Sequence, residues 1–267
     1  MRRAADKLAR AVTPLVVREV FFAFDNLKPY APTLIGRRID SVETRGKALL
    51  IHFDNELSIY THNQLYGRWM IRPAYRYPLT NRQLRLAIHN ERRSALLYSA
   101  SEIDVLSRQQ LDAHPFLATL GPDVLAIRPR RVLEQLAAST HLRRRLGSLL
   151  LDQRFLAGIG NYLRSEILFV AGLHPRLRPV DCGTDALVRL ARATVAVSRQ
   201  SYLHNGVTND LERARQLKAQ GQPRGQYRHW VFARGDCPCR ICGTTIVQDV
   251  AVGRRIYICP TCQPEPR

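Results

Sequence analysis

The sequence predicts an α+β fold: an N-terminal β-sandwich, a helical domain centred on two helices joined by a double turn, and a C-terminal cysteine-bearing β-ribbon. Three observations predict it. Apolar and polar residues alternate with period two through the first half of the chain. Beyond a Pro- and Gly-containing stretch the period becomes helical. Two Cys-x-x-Cys pairs then close the chain. Domain bounds follow: 1–113 for the sandwich, 114–125 for a linker, 126–228 for the helices and 229–267 for the ribbon.

Taken in order, residues 1–13 have the spacing of a short helix, and LVVREVFFAF begins the strands. DNLKPY reads as a loop. Asp54-Asn55 separates KALLIHF from ELSIYTH, and NERRS separates LRLAIH from ALLYSAS, so each pair reads as a hairpin. Several short strands with tight turns predict a sandwich. HPFLATLGPDVL has no clear period and reads as the linker. Helical spacing returns over Val132–Ala138, Leu146–Gln153, Tyr162–Gly172 and Asp185–Ser201. Residues 203–228 are polar, with Gly and Arg, and read as a mobile loop.

The stretch LLLDQRFLAGIGNYLRSEILFVAGL organises the helical half. An apolar helix ends at Gln153, Gly158 and Gly160 break the period, and Asn161 stands where an N-cap is expected. Tyr162, Leu163, Ile167, Leu168 and Val170 then recur at helical spacing. Glycines before a helix start leave backbone N–H groups and the positive end of the helix dipole open to one phosphate. Taken alone, a plain helix hairpin accounts for the same pattern.

The chain has 267 residues and a formal net charge of +19, with 41 Lys and Arg against 22 Asp and Glu. Such a charge, spread along the chain, points to a polyanionic partner, nucleic acid before a membrane surface. No apolar run is long enough to cross a bilayer. MRRAADKLARAV reads as the first helix of the domain, not a targeting segment. These features predict a soluble, cytoplasmic protein.

Of six cysteines, Cys239, Cys242, Cys259 and Cys262 form the two CxxC pairs, with 16 residues between the pairs. Each pair lets two thiolates converge from a tight turn, and two pairs complete a tetrahedron about one structural Zn²⁺. An iron site has similar spacing, but no redox machinery lies nearby. Cys237 is a spare thiol, and Cys182 reads as a loop or small core residue. TTIVQDVAVGRRIYI alternates like a hairpin between the pairs. Arg254 and Arg255 on it form either a solvated basic tip or a rigid finger that delivers an arginine to a phosphate.

In their order, FFAFDNLKPY, VETRGKALL, YTHNQLYGRW, LLYSASEID, HPFLATLGPDVL, LLLDQRFLAGIGNYLRSEIL and the CRIC…CPTCQ ribbon resemble the formamidopyrimidine-DNA glycosylase/endonuclease VIII family over nearly the whole chain. The resemblance implies a β-sandwich, a helix–two-turn–helix domain and a zinc finger, with damaged double-stranded DNA bound by a monomer in the cleft between the halves. It implies a base-excision-repair glycosylase with abasic-site lyase activity. A base is flipped out, an amine attacks the sugar C1′, and the resulting Schiff base drives β- and δ-elimination of the flanking phosphates.

The resemblance also assigns residues. Lys47 in TRGKALL falls on the family's lysine, a proton donor in the lyase steps, expected here on a buried strand with a lowered pKa. Arg254 falls on the zinc-finger arginine that grips the phosphate of the damaged nucleotide, and Asn161 on the asparagine of the phosphate clamp. Gln64, Leu65 and Tyr66 fall on the loop that fills the hole left by the flipped base. Their pattern is like the endonuclease VIII branch, which implies oxidised pyrimidines such as thymine glycol as substrates.

Two departures accompany it. The family's Met-Pro-Glu-Gly-Pro-Glu start, source of the proline nucleophile and the acid beside it, is not in this sequence. The expectation is a start codon upstream, which N-terminal sequencing of the native protein checks. The alternative is a catalytically impaired protein that binds lesions or abasic sites on the same scaffold. Thr119 stands where relatives carry a phosphate-binding arginine, a loss of about 1.5–3 kcal/mol at most, for which Arg143, Arg144 and Arg145 offer compensation.

Overall fold

The computed structural model describes residues 1–64 and 66–266, so Leu65 lies outside the described residues. The chain divides into two compact units, Met1–Thr119 and Leu120–Arg267.

The first unit is a sandwich of two antiparallel four-stranded sheets. Its strands are β1 (Glu19–Phe22), β2 (Ile39–Arg45), β3 (Ala48–Phe53), β4 (Leu57–His62), β5 (Arg68–Pro73), β6 (Leu84–His89), β7 (Arg93–Tyr98) and β8 (Glu102–Ser107). One sheet has the order β1-β6-β7-β5, the other β2-β3-β4-β8. Alternation along the strands sends Leu49, Ile51, Ile59, Leu86, Ile88 and Leu97 into the shared core, where they are buried. The N-terminal helix Arg2–Val12 adds Ala5, Leu8, Ala11 and Val12 to that core. β3 is buried on both faces, because Ala48 and Leu50 pack outward with Tyr60 against Leu111, Phe116 and Leu117. Both expected hairpins form, β3 with β4 and β6 with β7.

DNLKPY is not a loop but a 3-10 helix, Asp25–Tyr30, that runs on into Ala31–Leu34. Leu27 and Leu34 pin it into the core. A single turn, Pro115–Ala118, occupies the stretch that reads as a linker, and Asp123 forms a parallel bridge with Ala157.

The second unit gathers the helices Pro129–Ala137, Asn161–Ala171 and Thr184–Leu203 around Leu136, Leu149, Phe155, Ile167, Leu168 and Leu190. The ribbon consists of β9 (Val247–Ala251) and β10 (Arg254–Ile258), paired through a two-residue turn at Val252 and Gly253. It belongs to this unit because Ile256 and Ile258 are buried in the helical core.

Residues 203–228 are ordered instead of forming an open loop. Asp210 caps the helix Leu211–Ala219 by accepting from the Arg213 N–H, and Asn209 and Thr208 bond to the backbone at Tyr227 and Arg228. The first helix of the double-turn motif is one turn, Leu146–Leu149, not eight residues, because the chain turns at Asp152 to bring Phe155 and Leu156 into the core. No helix among the described residues is long and apolar enough to cross a membrane.

Candidate nucleic-acid interface and metal centre

In the second unit the double turn is built around Gln153. Its side-chain amide donates to the carbonyls of Leu151 and Ile159, each at 3.0 Å, and its oxygen accepts the N–H of Gly158 at 3.0 Å. Gly158 has φ +99°, a conformation that L side chains rarely adopt. Gly160, not Asn161, is the N-cap of the following helix, and it supplies no side-chain cap. The first backbone N–H groups of that helix therefore have no intrahelical acceptor, which leaves the donor set an anion requires.

Asn161 is the first helical residue, and its side chain points to the ribbon. Nδ2 donates to the Arg255 carbonyl at 2.8 Å, and Oδ1 accepts from Arg164 at 2.7 Å. Arg164 is fully buried. Its guanidinium donates to the carbonyls of Gly147, Ala251, Arg254 and Arg255 at 3.1–3.3 Å. Burial, with Arg254 nearby, lowers its pKa to about 10, so it stays charged at neutral pH. One cation thus holds both strands of the ribbon and the start of the helix. The side chains of Arg254 and Arg255 remain exposed on β10, beside the turn instead of at its tip.

Behind the ribbon, Glu166 of the same helix is buried and accepts the N–H groups of Trp230, Val231 and Phe232 at 2.8–2.9 Å, together with the Thr208 hydroxyl. Burial raises its pKa and these four donors oppose the rise. Thr208 Oγ1 also lies 2.8 Å from His229 Nδ1. Arg164 and Glu166 were not singled out from sequence. The signal was present: two charges inside an otherwise apolar helix must each find partners.

The sulfur atoms of Cys239, Cys242, Cys259 and Cys262 all lie within 4.8 Å of one another. The closest pairs are 3.4, 3.6 and 3.9 Å apart. Tetrahedral Zn²⁺ with Zn–S near 2.3 Å sets sulfurs about 3.8 Å apart, so the donor set and its size fit that ion. Cys237 is not part of the group. Cys182 is half-buried against the helical core, and its thiol donates to the Arg178 carbonyl.

In the first unit Lys47 is not on a buried strand. With Gly46 it forms the two-residue turn between β2 and β3, and it is half-exposed. Gly46 has φ +60°, as tight hairpin turns demand. His62, paired with Ala48 across β3 and β4, is close enough to feel the charge of Lys47. Burial lowers the His62 pKa, Glu102 opposes this and Lys47 adds to it. Glu102 on β8 gathers this end of the sheet: it accepts from Tyr60 Oη at 2.9 Å and from Gln64 Nε2 at 3.3 Å, and lies 3.5 Å from His62 Nδ1. Gln64 has φ +45° and is exposed, as is Tyr66. The Tyr66 carbonyl accepts from Arg82 at 2.8 Å. The structure thus brings Gln64 and Tyr66 to one exposed turn near Lys47 and His62. Thr119 ends the turn Pro115–Ala118, with its hydroxyl bonded to the carbonyls of Pro115 and Phe116.

Residues 2–100 match the formamidopyrimidine-DNA glycosylase N-terminal domain, and residues 120–212 match the formamidopyrimidine-DNA glycosylase H2TH domain. The sequence is 42% identical to endonuclease 8 of Escherichia coli over 265 residues, covering 98% of this chain and 97% of that one. This chain belongs to the formamidopyrimidine-DNA glycosylase/endonuclease VIII family. Endonuclease 8 of Pectobacterium atrosepticum is likewise 42% identical over 265 residues, with the same coverage of both chains. This family member also shares its fold with Lactococcus lactis Fpg bound to a FAPY-dG-containing DNA, with a TM-score of 0.80 and 17% identity. That comparison covers 98% of this chain and 97% of the Lactococcus chain. A second Lactococcus lactis Fpg structure, bound to abasic-site DNA, has a TM-score of 0.78 at 16% identity and the same coverage.

Proposed function

We propose that this protein is a base-excision-repair DNA glycosylase with abasic-site lyase activity, acting on oxidised pyrimidines in double-stranded DNA. The observation that carries the reading is 42% identity to an endonuclease 8 across 98% of the chain. The Gln64-Leu65-Tyr66 sequence, like that of the endonuclease VIII branch, supports pyrimidine lesions.

In this reading Gln64, Leu65 and Tyr66 occupy the space vacated by the flipped base, since an opened stack needs an apolar plug with polar flanks. Attack of an amine on C1′, the step the family gives to the proline that this sequence does not contain, forms a C–N bond as the base departs, and the imine that results withdraws electrons from the sugar. Loss of the C2′ proton then breaks the C3′–O bond, and the further elimination breaks the C5′–O bond. Lys47, held on a tight turn beside His62, moves protons in these steps. Asn161 and the open N–H groups of its helix hold phosphate. Arg254 grips the phosphate of the damaged nucleotide and favours its departure.

Cys239, Cys242, Cys259 and Cys262 would hold one Zn²⁺, with all four positions filled by protein sulfur. When bound, the ion cross-links a hairpin whose own core is small. Arg254 is then presented on a stiff support.

Borohydride trapping on an oligonucleotide with a single abasic site tests the reading. A covalent protein–DNA adduct, accompanied by β,δ-elimination products, is expected. Binding to the abasic duplex with neither adduct nor strand cleavage would overturn it.

A further inference from the structure

The loop joining β5 to β6, residues 74–83, carries an aromatic cluster that the repair reading does not use. Its anchor is His89 on β6, which is fully buried. His89 Nδ1 lies 2.6 Å from Ser94 Oγ, and Nε2 lies 3.1 Å from the Tyr77 hydroxyl. Tyr75 stacks flat on the imidazole, with ring centroids 4.7 Å apart and planes 4° apart. The Tyr75 N–H donates to Ser94 Oγ at 2.7 Å, and its φ is +58°, a costly conformation for an aromatic residue. The stack and the hydrogen bond hold it there. Yet Tyr75 and Tyr77 remain 50% and 51% exposed. One face of the Tyr75 ring rests on His89, and about half of the residue stays open to solvent.

Cations occur on this sheet face and in this loop. Arg72 pairs with Ser94 across β5 and β7, so it shares the sheet face of His89. Arg76, between the two tyrosines in sequence, is exposed, and Arg92 is exposed in the turn that joins β6 to β7. Glu19, opposite His89 on β1, and Glu91 are the acids nearby. Arg82 ties the far end of the same loop to the Tyr66 carbonyl, so one loop borders both this cluster and the turn assigned to base replacement.

We propose that Tyr75 and Tyr77, with Arg72 and Arg76, form a binding site for single-stranded DNA outside the lesion site. A held, half-exposed aromatic ring suits an unstacked base, and nearby guanidinium groups suit the phosphates on either side. Bases in an intact duplex stack on one another and offer no face to such a ring. The net charge of +19 brings polyanions to the surface, and the tyrosines select the unpaired form.

The test uses the full chain and a fluorescent, undamaged oligothymidylate, read by anisotropy. Undamaged single strands separate this question from the repair reading, which abasic trapping decides. Tyr75→Gly removes the ring and suits the left-handed backbone; it should weaken oligothymidylate binding about 5- to 150-fold and leave undamaged duplex binding unchanged. Tyr75→Phe should bind as the wild type does. Wild-type affinity in the glycine variant overturns the proposal. So does equal competition by polyglutamate of matched charge, which would indicate an acidic protein partner. If the glycine variant does not fold, wild-type protein is photocrosslinked to an oligonucleotide carrying 5-iodouracil. Adducts on the peptide spanning residues 74–82 support the site, and adducts confined to other peptides overturn it.

Discussion

The side-chain amide of Asn161 donates to the main-chain carbonyl of Arg255 at 2.8 Å, joining the start of the second motif helix to the cysteine ribbon. Arg164, one helical turn on, is fully buried, and it donates to Asn161 Oδ1 and to carbonyls of both ribbon strands. Asn161 and the strand that carries Arg254 are therefore tied together within this unit.

Replacing Arg164 tests that coupling. Arg164→Leu leaves the carbonyls of Gly147, Ala251, Arg254 and Arg255 without this donor, at about 1–3 kcal/mol for each that water cannot reach. A lowered urea midpoint is expected. Arg164→Lys should recover only part of it, since an ammonium cannot span both strands as the planar fork does.

Metal removal should affect the ribbon first. One zinc per chain is expected by atomic absorption, and Cys242→Ser should lower that occupancy. Chelation should loosen β9 and β10, seen as faster amide exchange at Tyr257 and Ile258, while the sandwich strands keep their protection.

Lys47 sits in an exposed-side turn, so its loss should change chemistry more than folding. Lys47→Gln is expected to slow strand cleavage on the order of 10²- to 10⁴-fold, with a melting temperature close to the wild type. Single-turnover cleavage of an abasic duplex measures the first quantity and calorimetry the second.

Stability should fall on acidification. Burial, reinforced by Arg228 and Arg224, depresses the His229 pKa to about 3, from an ordinary value of 6.5. Between those limits the unfolded chain binds the proton and the folded chain does not, so stability is full above pH 6.5 and declines below it. The slope for this one group is about 1.4 kcal/mol per pH unit at most. Burial depresses His62, His89, His141 and His174 in the same direction. Urea midpoints at pH 7.5 and pH 5.5 check the sign, and His229→Gln should reduce the difference.

Much of the site was legible because its signals are local. Two CxxC pairs announce a cluster of four sulfurs whatever the surrounding fold, and Gly158 and Gly160 announce a turn by interrupting helical spacing. Other features depended on distant partners. Asn161 looked like a cap, yet Gly160 holds that position and the asparagine reaches a ribbon 94 residues away. Residues 203–228 looked mobile because they are polar, but their polar groups are bonded: Asn209 to Tyr227, Arg213 to the Arg240 carbonyl, Arg228 to the Gly206 carbonyl. Lys47 looked like a strand residue because TRGKALL alternates, and only the register of β2 on β3 puts it in the turn.

By itself the sequence determined the layers, the four-cysteine cluster and the family, because periodicity, cysteine spacing and motif order are properties of neighbouring residues. Only the tertiary structure decided how buried charges are satisfied. Arg164, Glu166 and Glu102 each serve groups supplied by segments far along the chain, and desolvation makes those bonds obligatory once the chain has closed around them.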